Sequence, residues 1–270
     1  MGKSITLGLL QLSATHDKTK NLEKIKNIIM NKWKSADLII MPEYSMFNLT
    51  GMDPSKVYEL AEGIEGNYVN SLIGIARELN AFMLVTLFER SNEPPKVYNE
   101  ALIVSDKGNV LGMYRKIHLF DAYGYRESNY IKSGNEPSPI IDVKGVKVAI
   151  AICFDIRFPE LFRIYALRGA ELITIPAAWY KGPLKEETLL FLGRARAHEN
   201  TVYVAIVNQY GKDFTGRSAI IDPLGNVMLD LGIGEKYVEF TIDLDYINEV
   251  RKTLPVLNLR RPDIYSKFMD

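Results

Sequence analysis

The chain has one cysteine, Cys153, and it closes an apolar run, Val148-Ala149-Ile150-Ala151-Ile152. Two other reactive side chains follow apolar runs in the same way: Glu43 after Leu38-Ile39-Ile40-Met41-Pro42, and Lys116 after Val110-Leu111-Gly112-Met113-Tyr114-Arg115. Ligands of open α/β sheets collect beyond the carboxyl ends of strands, so these are the places to look for chemistry. A thiol is largely protonated at neutral pH and needs activation. A nearby carboxylate can take that proton and return it to a leaving amine. An ammonium favours the thiolate and stabilises the negative oxygen of a tetrahedral intermediate, and backbone N–H groups after the nucleophile can add to that hole. Cys153, Glu43 and Lys116 together could hydrolyse an amide without histidine. Each alone also reads as structural: a buried small hydrophobe, a helix cap or solvated loop acid, and a surface lysine beside an arginine. Only the set is informative.

The elements that must carry them alternate. Ile5–Gln11 reads as a strand, and Asn21–Lys34 as a helix with Leu22, Ile25, Ile28, Ile29 and Trp33 at helical spacing. Asp37–Met41 reads as a buried strand and Tyr68–Leu79 as a helix. Ala81–Phe88 and Asn99–Ser105 read as strands, with a Lys107-Gly108-Asn109 turn before Val110–Tyr114. The alternation predicts an α/β protein.

The second half repeats the order. Ala36–Pro42 resembles Ala170–Pro176, Ala101–Val110 resembles Ala219–Val227, and Val148–Cys153 corresponds to Thr6–Gln11. Two copies of one unit, about 1–116 and 140–245, predict a sheet from each copy with helices on one face. The bare faces must cover each other, giving a four-layer α-β-β-α sandwich of two similar halves. In the aligned copies Ala177 stands for Glu43, Gln11 roughly for Cys153 and Ile233 roughly for Lys116. A single site at the junction of the halves follows. The expected organisation is one domain over 1–245 and an irregular tail over 246–270, with Leu254-Pro255 and Arg260-Arg261-Pro262, packing on the domain or on a partner subunit.

Composition narrows the classes. The 270 residues carry 33 basic and 33 acidic side chains, which disfavours a nucleic-acid binder because that needs a basic excess. One cysteine excludes an intramolecular disulfide and fits a reducing compartment. No apolar run approaches the roughly 20 residues of a membrane span, and the N-terminus lacks a signal peptide's apolar region. A cytoplasmic protein is expected. His16, His118 and His198 show no ligand spacing, so no metal site is expected. Gly232-Ile233-Gly234 reads as a turn rather than a dinucleotide motif, no phosphate-binding Gly-Lys-Ser/Thr loop is present, and no cofactor is expected.

Three segments resemble the signatures of the nitrilase superfamily of carbon–nitrogen hydrolases. They are Met41-Pro42-Glu43, Tyr114-Arg115-Lys116-Ile117-His118-Leu119-Phe120 and Ile152-Cys153-Phe154-Asp155-Ile156-Arg157-Phe158-Pro159-Glu160. The resemblance continues through Arg194–Asn200 and Gly216-Arg217-Ser218. It implies the same α-β-β-α sandwich, usually as a homodimer or higher homo-oligomer. It implies Cys153 as nucleophile, Glu43 as general base and acid, and Lys116 as the oxyanion-stabilising lysine. Glu127, in Gly124-Tyr125-Arg126-Glu127-Ser128, matches a second glutamate that positions substrate and triad. The Phe154 amide would join the oxyanion hole.

The run from Cys153 to Glu160 resembles the branch of ω-amidases and amidases that repair deaminated glutathione, which cleave a primary amide from a small dicarboxylate monoamide. One departure concerns the substrate: after Gly182–Glu187, where relatives of this branch often have His-Trp, this chain has Thr188-Leu189. Arg157 could bind a substrate carboxylate or, the reading preferred on sequence, pair with a structural acid such as Glu160. Tyr44, Phe47, Tyr123 and Trp179 could line a pocket or fill the core. The expected partner is a small amide, with no nucleic acid and no membrane. Alternatives are an N-carbamoyl-amine hydrolase or nitrilase, a non-catalytic scaffold or regulatory member, and a thiol hydrolase that uses His118, which would share a strand face with Lys116.

Overall fold

The computed structural model describes residues 2–268. The first half runs β1 (Ser4–Gln11), α1 (Lys18–Lys32), β2 (Leu38–Ile40), α2 (Pro54–Leu60), α3 (Asn67–Leu79), β3 (Phe82–Arg90), β4 (Val97–Val104) and β5 (Val110–Arg115). A small hairpin, β6 (Asp121–Ala122) and β7 (Tyr125–Arg126), joins the halves. The second half runs β8 (Ile141–Val143), β9 (Val146–Ile150), α4 (Pro159–Leu167), β10 (Leu172–Ala177), α5 (Lys185–Asn200), β11 (Tyr203–Asn208), β12 (Ala219–Ile221), β13 (Val227–Asp230), β14 (Lys236–Asp243), α6 (Asp245–Thr253) and α7 (Pro262–Tyr265). No helix among the described residues is long and apolar enough to cross a membrane.

The two large sheets have the same plan. Their orders are β14-β1-β2-β3-β4-β5 and β13-β12-β11-β10-β9-β8. In each, three central strands are parallel, β1-β2-β3 and β9-β10-β11, and the outer pairings are antiparallel. One exchange departs from the expectation that each copy builds its own sheet. β14 comes from the second copy but pairs with β1 along its whole length, from Ser4↔Asp243 to Gln11↔Lys236. β14 thus takes the edge beside β1 that β8 takes beside β9 in the second sheet.

Strand alternation explains the layers. Leu7, Leu9, Leu38, Ile40, Leu84 and Ile103 share a buried cluster with Val148, Ile150 and Ile206 of the second sheet. Their neighbours Leu10, Ile39, Met83, Val85 and Leu102 cluster instead with Ile25, Ile29, Leu72 and Ile75 of α1 and α3. Successive side chains on a strand point to opposite faces, so one strand serves both layers. On the far side, Phe162, Tyr165, Leu189 and Ala197 of α4 and α5 cover the second sheet. Each fully buried Leu, Ile or Phe contributes about 1.5–3 kcal/mol.

Local chemistry sets the element ends. Asp17 caps α1 by accepting from the Thr19 and Lys20 N–H groups at 3.0 and 3.1 Å, a cap worth about 1 kcal/mol. Pro176 lies inside β10, but β9 pairs with β10 only as far as Thr174, so no partner waits for the missing N–H. α5 packs close because Gly193 has no Cβ; one built there would come within 2.6 Å of Ile206. The tail departs from the irregular course expected after Tyr246. Ile247 and Val250, three apart, are buried, and this apolar pair folds 245–253 into α6. The last two residues of the expected tail, and Met1 of the expected first copy, lie outside the described residues.

Candidate active site

Strand β2 ends at Ile40, and the chain then turns through Met41 and Pro42 to Glu43. The Pro42 carbonyl accepts from the hydroxyls of Ser45 and Thr86, both at 2.6 Å. The Glu43 carbonyl accepts from Gln209 Nε2 at 2.9 Å, and its Oε2 from the Ala178 N–H at 2.7 Å. Gln209 and Ala178 sit just past β11 and β10, so strand ends of the second sheet hold a glutamate supplied by the first.

Lys116 sits one residue past β5, fixed by its N–H to the Asn99 carbonyl at 2.9 Å. Its Nζ donates to Glu43 Oε1 at 2.9 Å and to Glu127 Oε1 and Oε2 at 3.0 and 2.9 Å. All three side chains are essentially sealed from solvent. Burial alone would lower the lysine, but the charges of Glu127 and Glu43 outweigh it and hold the ammonium well above the usual lysine pKa. Glu127 is raised, first by burial and then by the Glu43 charge, with Lys116 opposing.

Glu127 owes its place to the β6–β7 hairpin. Tyr123 and Gly124 at the turn have φ of 54° and 80°, the left-handed pair of a tight two-residue turn. The hairpin feeds the 3-10 turn Glu127–Asn129, and the Phe120 N–H donates to Glu127 Oε2 at 2.6 Å.

Cys153 does not close a strand. β9 ends at Ile150, and Cys153 opens a 3-10 turn, Cys153–Arg157, with φ of 46°. A left-handed non-glycine residue costs about 1–3 kcal/mol and persists only where its surroundings determine it. Here Asp155 does so. Its Oδ2 accepts from the Ile152 N–H and the Tyr114 hydroxyl, both at 2.8 Å, and its Oδ1 lies 2.7 Å from His118 Nδ1. The Asp155 carboxylate thus ties the cysteine turn to the segment that carries Lys116. The Cys153 thiol is pushed well above its usual value by burial and then by Glu43, against Lys116, so the resting sulfur is protonated. The N–H groups at the start of such a turn have no internal acceptor, which leaves the Phe154 amide free to donate.

Cys153, Glu43 and Lys116 line one narrow cavity. Tyr44, Phe154 and Trp179 from the sequence reading also line it, as do Phe120, Tyr180 and Lys185, which that reading missed. Phe47 does not: it is fully buried against Phe88 at 4.8 Å. Tyr123 is largely exposed and lines an outer vestibule with Tyr125, Phe120 and Tyr180. His118 is not in the cavity; it stacks on Phe158 at 3.6 Å and binds Asp155. The preferred pairing of Arg157 with Glu160 is absent among the described residues. The guanidinium instead lies 4.9 Å from the Trp179 ring and 5.7 Å from that of Phe154, and its buried Nε has no partner. Asn99 was also missed. Its Nδ2 donates to Glu43 Oε1 at 2.7 Å and Glu127 Oε1 at 3.3 Å. The signal was an asparagine beside apolar residues in a strand, where such a residue is depleted.

Residues 6–252 match the family described as carbon-nitrogen hydrolase. The chain is 32% identical over 254 residues to a deaminated glutathione amidase of Escherichia coli O157:H7, covering 93% of this chain and 95% of the relative. It is 33% identical to a 2-oxoglutaramate amidase of Bacillus subtilis (strain 168), covering 96% and 99%. It superimposes on the crystal structure of Saccharomyces cerevisiae Nit3, a member of branch 10 of the nitrilase superfamily, with a TM-score of 0.84, 27% identity and 97% of each chain covered.

Proposed function

The chain belongs to the carbon–nitrogen hydrolase family of the nitrilase superfamily, and from that premise we propose how its cavity works as an amidase. The enzyme hydrolyses the carbon–nitrogen bond of a small amide through a cysteine thioester. The observation that carries the assignment of roles is the bridging ammonium: Lys116 Nζ lies within 3.0 Å of both Glu43 and Glu127 in the cavity that Cys153 lines.

In this reading Cys153 Sγ attacks the amide carbon as its proton passes to Glu43. The carbonyl oxygen becomes an oxyanion, held by Lys116 Nζ and the Phe154 N–H. Collapse breaks the C–N bond, and Glu43 returns the proton so that ammonia leaves, giving a thioester. Water enters, Glu43 takes its proton, and a second tetrahedral intermediate collapses to the carboxylic acid and the free thiol. Because the resting thiol is neutral, its proton leaves as the C–S bond forms. Glu127 holds Lys116 and does not shuttle protons. Tyr44, Phe154 and Trp179 line the substrate cavity, and Arg157 packs against the Phe154 and Trp179 rings outside its lining.

The relatives' names point to amides of small oxo-acids, and we carry a carboxylate-bearing primary amide over to this chain. The working unit we propose is a homodimer or higher homo-oligomer in the cytoplasm, with 1–245 as the catalytic domain and 246–270 packed on it or on a partner subunit. Support comes from apolar side chains left outside on and beside α5, Phe191 at 67% exposure and Met228 at 45%, and from a free thiol that a reducing compartment preserves.

The test is Cys153→Ala. Ammonia release from an active amide should fall by at least about 10³-fold while circular dichroism and thermal midpoint stay native. Full activity would sink the mechanism. Release of carbon dioxide together with ammonia would move the assignment to a carbamoyl hydrolase.

A further inference from the structure

The catalytic cavity opens on a vestibule many times its size. Space open to water-sized spheres is about 20 Å³ in the cavity, room for about one water, and about 340 Å³ in the vestibule. Little beyond the amide end of a substrate fits beside Cys153, so the rest of the molecule lies farther out. Phe120, Tyr180 and Lys185 line both spaces and make them continuous.

The vestibule wall is aromatic. The Phe120 ring centre lies 6.1 Å from that of Tyr123, 6.0 Å from that of Tyr125 and 6.2 Å from that of Tyr180. Thr50 and Tyr180 bond each other through their hydroxyls at 2.8 Å, and Lys181 Nζ donates to the Gly211 carbonyl at 2.7 Å, so these polar groups are spent. Lys185 Nζ sits over ring faces, 4.1 Å from the Tyr123 centre and 5.4 Å from that of Phe120. What the wall chiefly offers a ligand is ring faces. Tyr123 is its least expected member. It holds the first position of a left-handed two-residue turn, with φ of 54°, where glycine, asparagine or aspartate is usual, and it is 78% exposed. Core packing does not account for a strained, exposed tyrosine, whereas contact with a ligand does.

We propose that the vestibule is a subsite for an aryl group on the acyl chain of the substrate, with Tyr123 as its specificity-determining residue, and that the enzyme has a further activity on arylalkyl primary amides. This rests on the amidase reading of the cavity and extends it beyond amides of oxo-acids. The amide reaches Cys153 past Phe120 and Tyr180, and the ring docks among Phe120, Tyr123 and Tyr125. The reaction is that of the proposed mechanism: aryl amide and water give aryl acid and ammonia. Since ammonia is the leaving group, the ring belongs to the acyl side and stays bound through the thioester stage. Ring–ring contacts add to the area buried, and the Lys185 ammonium gains a further ring face.

The experiment measures ammonia release from phenylacetamide, 3-phenylpropanamide, 4-phenylbutanamide and 5-phenylpentanamide, each against the alkyl amide of the same chain. One chain length should set the ring in the vestibule, and there the phenyl amide should exceed its alkyl partner by at least about tenfold in kcat/KM. Tyr123→Asn removes the ring and keeps a residue that tolerates the left-handed turn. It should lower that ratio by about three- to tenfold. The readout is a ratio, so a general loss of activity through the hairpin cancels. In parallel, binding of the four matching phenylalkanoates to Cys153→Ala is followed by tryptophan fluorescence. The acid of the favoured length should weaken by a similar factor when Tyr123→Asn is added. Equal rates for phenyl and alkyl amides at every length, or a ratio that Tyr123→Asn leaves unchanged, overturns the proposal and leaves the amidase reading standing. Tyr123-dependent phenylalkanoate binding in an enzyme that releases ammonia from none of these amides keeps the subsite and sinks the amidase reading.

Discussion

The two halves of the molecule can be laid on each other by strand register, and at the active corner they differ at every chemical position. Leu38 pairs with Leu7 and Phe82 in one sheet, and Leu172 with Val148 and Tyr203 in the other. Counting from these pairs sets Ala177 where Glu43 stands. The antiparallel pairs Ile103↔Gly112 and Ile220↔Leu229 set Ile233 where Lys116 stands. The same register makes Leu12, not Gln11, the counterpart of Cys153. The second corner therefore holds Leu12, Ala177 and Ile233 at the matched positions, none of them ionisable. Gln11 beside it is consumed structurally: its Nε2 donates to the carbonyls of Gly232 and Gly234 at 3.0 and 2.7 Å, and its Oε1 accepts from Ser218. One architecture thus gives a corner with three ionisable side chains and one with apolar residues in their places. The first sheet supplies the acid and the ammonium, and the second supplies the thiol.

The sharpest way to break this comparison is to exchange charge at matched positions. Glu43→Gln keeps the shape and most hydrogen bonds but removes the proton acceptor, so kcat should fall by about 10²–10⁴-fold. Ile233→Lys puts an ammonium at the matched position of the second corner, where the side chain is 69% exposed. It should change stability by no more than about 0.5 kcal/mol and leave kcat alone. Comparable losses in both variants, measured by ammonia release and thermal melting, would mean that the corners are not chemically distinct.

Much of this pairing was legible from sequence. The duplicated strand pattern predicted the sandwich, and a reactive side chain just past an apolar run found Glu43, Lys116 and Cys153. Position past a strand is set by local chain direction, which apolar periodicity reports. What periodicity cannot report is which side chains from distant loops converge. Glu127 stood out only through resemblance, since its hairpin is set by a Tyr-Gly turn rather than by apolar pattern. Lys185 reads as the ordinary start of a charged helix. The β14 exchange was hidden because strand pattern carries no partner, and β14 reads the same in either sheet. The expected Arg157–Glu160 pair does not form among the described residues, because an acid near in sequence need not be near in space.

A second contrast is the residue between the two carboxylates. Asn99 reaches both Glu43 and Glu127, while the matched position in the other half is Gly216. A Cβ at Gly216 would come within 2.8 Å of the Gly232 carbonyl, and its φ is 74°, so backbone fills the space that an amide fills in the reactive corner. Asn99 acts through the carboxylates and is a positioning residue. Asn99→Ala leaves Glu43 Oε1 with Lys116 as its remaining donor, and a lost hydrogen bond to a charged group is worth about 1.5–3 kcal/mol. If Glu43 moves the proton as proposed, kcat should fall by about 10–100-fold with KM little changed, and the pH profile of kcat should shift. A purely structural residue would lower the melting temperature and leave the pH profile in place.

The smallest effect concerns the residue next to Asn99. Glu100 is fully buried with neither oxygen hydrogen-bonded, and Arg115 gives its paired N–H groups to Glu89 at 2.7 and 2.9 Å. Its counterpart in the other half, Arg217, lies toward the surface and pairs with Asp230 at 2.5 Å. Burial, then the neighbouring Glu89, pushes the Glu100 carboxyl up to about 9, with Arg115 opposing. The folded state therefore holds this proton to higher pH than the unfolded chain, whose glutamate titrates near 4.5. The unfolded chain sheds the proton first, so stability falls as pH rises from about 4.5 to about 9. Glu100→Gln removes the titration and keeps the shape. Its melting temperature should match the wild type near pH 5 and exceed it at pH 8.5 by at least about 2 °C. A difference that does not depend on pH would show that Glu100 is ionised in its strand, and the first half would then tolerate a buried charge that the second half keeps at its surface.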